Sequence, residues 1–136
     1  MADALTSQVI QDGGRTAILK FTNVSDGSGQ AEAALIDVST LSADPVTKQA
    51  CTGVTLQKIT FSNIGMGVEL LWDATTNVPL LNLPQDWEDT IDFSDFGIPN
   101  NSGVGSTGDI LVTTVGATAG DTYLLVVTVT KSYASA

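Results

Sequence analysis

The densest run of residues that could do chemistry lies between positions 86 and 95. It holds five of the fifteen carboxylates of the chain, which are Asp86, Glu88, Asp89, Asp92 and Asp95. Calcium sites are built from several carboxylate and carbonyl oxygens, and glycoside hydrolysis uses a pair of carboxylates. The five residues are therefore the calcium candidate of the chain, and they also contain the carboxylates that a hydrolase would need.

Alternation within the same segment favours a simpler interpretation. Ile91 and Phe93 share one side of an extended chain, while Asp92 lies on the other. With Trp87 as a third anchor, the apolar side chains would pack on the core and the acids would face water. No arginine or histidine lies nearby to divide the roles of a carboxylate pair. We therefore predict no catalytic residue and no metal site here.

Absent residue types exclude several further activities. The chain has no histidine, which removes Ser-His-Asp and Cys-His catalysis and histidine-based zinc sites. Its single cysteine, Cys51, cannot form an intrachain disulfide or a cysteine cluster. Five Lys and Arg against fifteen Asp and Glu give a net charge of −10, which phosphate and anionic lipid would repel. We predict no enzyme activity, no cofactor, and neither nucleic acid nor membrane as a partner.

Glycine-rich loops give no ligand-binding motif. Residues 23–29 (NVSDGSG) are similar to half of an EF-hand loop, but strands flank them and Ala34 occupies the position of the expected glutamate. Gly103 and Gly105 are spaced like a phosphate-binding loop, yet no helix is predicted to follow them. Both segments are predicted to be ordinary loops between strands.

The elements that must position these residues are predicted to be strands. Alternating segments recur at intervals of roughly 8–15 residues with turn signals between them, a pattern typical of a sandwich. Ala17, Leu19 and Phe21 alternate with polar residues, and Val68 and Trp72 share a phase that favours the core. A phase slip within residues 53–62 predicts a bulge near positions 57–58.

The predicted fold class is all-β, a single antiparallel β-sandwich or jelly-roll-like domain of about eight strands. A hydrophobic content of 43% over 136 residues suffices for one core. Residues 12–136 are predicted to form the domain. Residues 1–11 are predicted to be an N-terminal arm or the first strand, and they could add a strand to a neighbouring sheet. The longest and clearest strand is predicted at residues 121–133.

The chain resembles small virion structural proteins of tailed bacteriophages over nearly its full length. The resemblance is carried by turn and strand patterns at residues 11–17 (QDGGRTA), 20–27 (KFTNVSDG), 65–73 (GMGVELLWD), 92–97 (DFSDFG), 108–114 (GDILVTT) and 120–123 (GDTY). It implies a non-enzymatic capsid decoration (cement) protein that binds the outer surface of the phage head and stabilises it. The implied partner is the major capsid protein, and the implied location is the virion.

Other roles stay open at this stage. A tail, fibre or head–tail connector component is one alternative, and a carbohydrate-binding β-sandwich with Trp87 as its platform is another. Trp87, Phe96 and Tyr133 are the candidate partner contacts, and self-association as a dimer or trimer is expected. The start of the chain has no basic segment followed by a long apolar run, so synthesis in the host cytoplasm is expected.

Overall fold

A computed structural model describes residues 4–27 and 32–133, which form two antiparallel sheets packed face to face. The predicted all-β fold is confirmed. The strands are β1 (Ala4–Asp12), β2 (Thr16–Val24), β3 (Ala33–Ile36), β4 (Cys51–Ile64), β5 (Gly67–Trp72), β6 (Val78–Leu83), β7 (Trp87–Asp92), β8 (Ile110–Val115) and β9 (Thr122–Tyr133). One turn of 3₁₀ helix, Val38–Thr40, follows β3. No helix among the described residues is long and apolar enough to cross a membrane.

The strand order is that of a jelly roll with one strand added. The larger sheet runs β1-β2-β9-β4-β7 and the smaller one runs β3-β8-β5-β6. Strands β2 to β9 switch between the sheets at every connection except the β5–β6 hairpin, in the eight-stranded jelly-roll manner, while β1 extends the larger sheet at its edge. The described residues therefore contain nine strands, in agreement with the prediction of about eight. Of residues 1–11, the part from 4 onward lies in this first strand, and residues 1–3 fall outside the described part.

Side-chain alternation builds the core where the sequence predicted it. Ala17, Leu19 and Phe21 of β2 are buried, as are Tyr123 and the three alternating residues after it in β9. The side chain of Trp72 is fully buried, which confirms its core assignment. Strands β2 and β9 thus each contribute one apolar face, as expected for a sheet that is covered on one side only.

Strand β4 carries the predicted bulge. Its register with β9 shifts between Leu56 and Lys58, and again between Cys51 and Gly53. The shift lets Leu56 and Ile59 both point into the core, although three positions separate them. With these irregularities β4 reaches 14 residues, so the prediction that the last strand is the longest was wrong: β9 has 12.

A buried ion pair fastens β1 to the sandwich. The ammonium of Lys131 donates to the Asp12 carboxylate at 2.6 Å, to the Gly13 carbonyl at 2.9 Å and to the Ser42 hydroxyl at 2.9 Å. Ser42 also donates its backbone N–H to Asp12 at 2.7 Å. The side chain of Lys131 is completely buried, and this network satisfies its three protons.

Candidate docking surface

Four large hydrophobic side chains stand exposed at one end of the sandwich. In the larger sheet, Val24 of β2 and Ile64 of β4 are both register partners of Thr122 in β9. They therefore flank the same residue, about 10 Å apart across two strand spacings. Trp87 opens β7 beside them, because its register partner is Asn63.

The smaller sheet adds to the same end. Its strand β8 finishes at Val115, whose partner Gly67 begins β5 directly after the turn from Ile64. Val24, Ile64, Trp87 and Val115 are 49%, 61%, 58% and 56% exposed. We call these four residues the apolar end. Val24 and Ile64 lie on the outward face of the larger sheet and Val115 on that of the smaller one, while Ile64 and Trp87 line the same depression. Exposed apolar residues that share one end of a domain are a candidate contact surface.

Trp87 corrects one prediction. One interpretation of residues 86–95 placed it in the core together with Ile91 and Phe93, and this was wrong, because more than half of Trp87 is exposed. Its exposure agrees with the other expectation, that of a partly exposed residue. Strand β7 is the outer strand of the larger sheet, and only Ile91, paired with the buried Ile59, packs against the core from this strand. Trp87 lies at the margin, where the smaller sheet no longer covers it.

An open depression lies beside Trp87. Its volume is about 530 Å³, and it is lined by Ser62, Asn63, Ile64, Asp86, Trp87 and Glu88. The side chain of Asn63 is buried and donates to the Pro84 carbonyl at 3.0 Å, while its amide oxygen has no hydrogen-bond partner among the described residues. The depression combines an aromatic ring, an aliphatic side chain and two carboxylates, which suits a contact with an apolar or cationic group.

Asp86 holds this end together. Its carboxylate accepts the backbone N–H of Gly65 at 2.7 Å, which joins the β4–β5 turn to the β6–β7 turn. Asp86 itself adopts a left-handed backbone conformation with φ of 54°, which is costly for a residue with a side chain. The turn that presents Trp87 is therefore held by a specific contact.

The five carboxylates of the calcium candidate do not converge. Glu88 and Asp92 lie opposite Ser62 and Lys58, on the outward face of β7, whereas Asp89 lies on the other face. Asp92 accepts the backbone N–H of Ser94 at 2.8 Å, and the hydrogen bonds from Ser94 lower its pKa. Within residues 4–27 and 32–133, no three acidic or cysteine side chains are grouped closely enough to hold a metal ion.

The three candidate contact residues are not brought together. Phe96 is 76% exposed and packs edge-on against Phe93, with ring centroids 6.2 Å apart, beyond the far end of β7. Tyr133 is half-buried, and its hydroxyl donates to the carbonyl of Gly14. Of the three, only Trp87 belongs to the apolar end.

Two other sequence candidates are structural. Cys51 is buried, and burial raises the pKa of its thiol, as expected for an unreactive side chain. In the loop with partial EF-hand similarity, Gly27 donates its backbone N–H to the Ser25 hydroxyl at 3.0 Å, a turn contact. Residues 28 and 29 of this loop fall outside the described part.

Sequence reasoning missed most of the apolar end. Val24, Ile64 and Val115 each end a strand on its exposed face, so alternation alone gives them the appearance of isolated surface residues. Only the strand order places them at the same end, and strand order depends on pairings between distant parts of the chain.

Comparison with known proteins gives only a distant likeness. No protein-family model and no curated protein matches the chain. Among solved structures, it is similar to a cupin superfamily protein from Desulfitobacterium hafniense, at 11% identity and a TM-score of 0.36 over 96% of this chain and 80% of that one. It is also similar to a family 29 carbohydrate-binding module, at 10% identity and a TM-score of 0.40 over 94% and 89%. Values this low carry no functional argument.

Proposed function

We propose that this protein is a non-enzymatic virion structural protein that binds the outer surface of a phage head and stabilises it. The resemblance of its sequence to such proteins supports the assignment. The observation that carries it is the apolar end, where Val24, Ile64, Trp87 and Val115 leave a ready contact surface exposed. A decoration protein acts by fitting against another protein, and it needs such a surface and no catalytic group.

The surroundings of the apolar end indicate the chemistry of the partner. Asp86 and Glu88 line the depression next to Trp87, and the whole chain carries a charge of −10. Complementary charge speeds and orients association. The surface of the major capsid protein that receives this end is therefore expected to be apolar at its centre and to carry lysine or arginine around it, with one cation placed over the Trp87 ring.

Copy number tests the assignment to the head. Purified virions would be analysed by quantitative mass spectrometry and by image reconstruction. A decoration protein is expected in many copies over the head lattice, and particles lacking it are expected to lose their contents at lower temperature or milder osmotic shock. A single ring of copies at one vertex would indicate a connector, and density along the tail would indicate a tail or fibre component. Absence from virions would overturn all three structural roles.

The contact surface has its own test. Ile64→Ser and Trp87→Ala would be added to particles that lack the protein, and binding would be compared with the wild type. Losing a large apolar contact of about 1.5–3 kcal/mol corresponds to a tenfold to hundredfold loss of affinity. Val46→Ser is the matched control, since Val46 is 85% exposed in the loop that contacts Gly14, at the other end of the sandwich. Equal loss in the control would place the contact elsewhere.

A second function is favoured by the depression beside Trp87. An exposed indole ring next to two carboxylates can stack on the apolar face of a sugar while the carboxylates accept its hydroxyl protons. A carbohydrate-binding module would bind members of a glycan array and lose that binding in Trp87→Ala. If the array gave no hits while the same preparation bound to particles, decoration would be the one remaining role of the two.

A further inference from the structure

The four sheet edges of the sandwich are not protected equally. Open edges invite pairing with other chains, and proteins block them with charges, prolines or short strands. In the described chain, β7 carries Glu88, Asp89 and Asp92, β6 carries Pro79, and β3 has only four residues. The remaining edge, β1, has nine residues and no proline, and its only charged residue is the last one, Asp12.

Strand β1 is also exposed on both of its faces. All six residues from Thr6 to Gln11 are exposed, including Val9 at 60% and Ile10 at 51%. It pairs with β2 on one side only, so in the described part of the chain no strand covers its other edge. Its outward N–H and C=O groups form a ladder that is regular from Ala4 to Val9, about 20 Å long, before a bulge at Ile10.

We propose that two copies of this protein pair through β1, antiparallel and about a twofold axis, so that the two larger sheets form one continuous ten-stranded sheet. An antiparallel pair of identical strands closes on itself and leaves no β1 edge open, and the outer edges of the joined sheet are then the two acidic β7 strands. This inference does not rest on the capsid role, because it concerns β1 and not the apolar end.

The distribution of charge favours a second copy of this chain as the partner of the β1 edge. Each chain carries a charge of −10, so any segment that brings two copies together must contribute as little charge as possible. Residues 4–11 contain no charged side chain, while the acidic β7 lies at the opposite edge of the same sheet. A partner of opposite charge would gain from acidic residues on the docking strand, and β1 offers none before Asp12.

Sedimentation and light scattering over a range of concentrations test the pairing. As its concentration rises, the wild type is expected to shift from the monomer mass of 14.1 kDa to twice that mass. The double variant Gln8→Glu with Gln11→Glu keeps side-chain size but sets like charges across the twofold axis, and it should weaken the dimer at least tenfold. The control, Asn101→Asp with Val104→Glu, adds two carboxylates at exposed loop positions and should leave it unchanged.

Hydrogen exchange supplies a test that needs no variant. If the pairing is correct, amides of β1 that point outward become protected as the wild-type concentration rises, and those of β7 do not. A monomer at all concentrations, a trimer, or a dimer that resists the β1 charges would overturn the proposal. Particle binding by a protein that stays monomeric would leave the decoration role standing, so the two proposals fail separately.

Discussion

At the scale of single residues, the buried charge of Lys131 depends on its ion-pair partner for stability. Its ammonium relies on the Asp12 carboxylate, which is only 18% exposed. Asp12→Ala is therefore expected to cost about 3 kcal/mol of unfolding free energy, because it leaves a buried charge uncompensated. Chemical denaturation measures this value. Glu88→Ala, at an exposed edge position, is the control and should change stability by less than about 0.5 kcal/mol; similar losses in both would mean that the ion pair contributes nothing special.

The same pair sets a pH window. Burial alone would raise the pKa of Asp12, but hydrogen bonds from Lys131 and Ser42 outweigh it and lower the pKa. Burial would likewise lower the pKa of Lys131, and the bond to Asp12 outweighs it and raises the pKa. The contribution of the ion pair to stability should be complete between the ordinary pKa values of an aspartate carboxyl and a lysine ammonium. It should fade as pH falls through the lowered Asp12 pKa or rises through the raised Lys131 pKa. The stability advantage of the wild type over Asp12→Asn should therefore shrink at both extremes.

Gly65 lies in the β4–β5 turn at the apolar end, where the backbone conformation requires a glycine. Its φ is +83°, and a Cβ there would lie 2.1 Å from the Asp121 carboxylate. Gly65→Ala is expected to cost about 2 kcal/mol or more through backbone strain and displacement of Asp121. Gly53 is the matched control, since a Cβ there has open space, and Gly53→Ala should be neutral or slightly stabilising. Thermal unfolding of both variants measures the difference, and equal melting temperatures would contradict the requirement for glycine at position 65.

At the level of elements, the sequence predicts strands well and their partners poorly. The alternation in β2 and β9 and the bulge in β4 follow from side-chain chemistry within each segment, and all three were predictable. Strand β7 was not, because its acids suggest a solvated segment and its pairing with β4 brings together residues 24 to 34 positions apart. Its apolar residues therefore gave a wrong prediction for Trp87, which a core strand would have buried.

The bulge in β4 gives an element-scale prediction. Deleting Gln57 would remove the extra residue and shift the preceding part of the strand by one position relative to β9. Because a one-residue slip exchanges the faces of a strand, the buried Val54 and Leu56 would turn outward, and the variant should fail to fold cooperatively. Near-ultraviolet circular dichroism and proton spectra would detect this. Deleting Val104, in an exposed loop, is the control; a folded ΔGln57 protein would contradict the role of the bulge.

For the whole molecule, the composition narrows the possible chemistry. A chain with no histidine and a single cysteine lacks the residues for histidine-based catalysis and for a cysteine cluster before any fold is considered. Which residues make the contact depends on topology, since the apolar end joins the ends of β2, β4 and β8 and the start of β7. The densest run of acids lies at residues 86–95, whereas four of the nine exposed large hydrophobic residues in the described part of the chain lie where those strands meet.

Salt separates the two contacts that the molecule is expected to make. Two copies, each with a charge of −10, repel one another, so raising the salt concentration from 0.01 to 0.15 M should strengthen pairing through β1, as the Debye length falls from about 30 to about 8 Å. Docking of the acidic rim of the apolar end on a basic capsid surface should weaken over the same range. Dimer dissociation constants and particle binding measured in the same salt series should therefore change in opposite directions. A parallel change would mean that at least one contact has been assigned to a partner of the wrong charge.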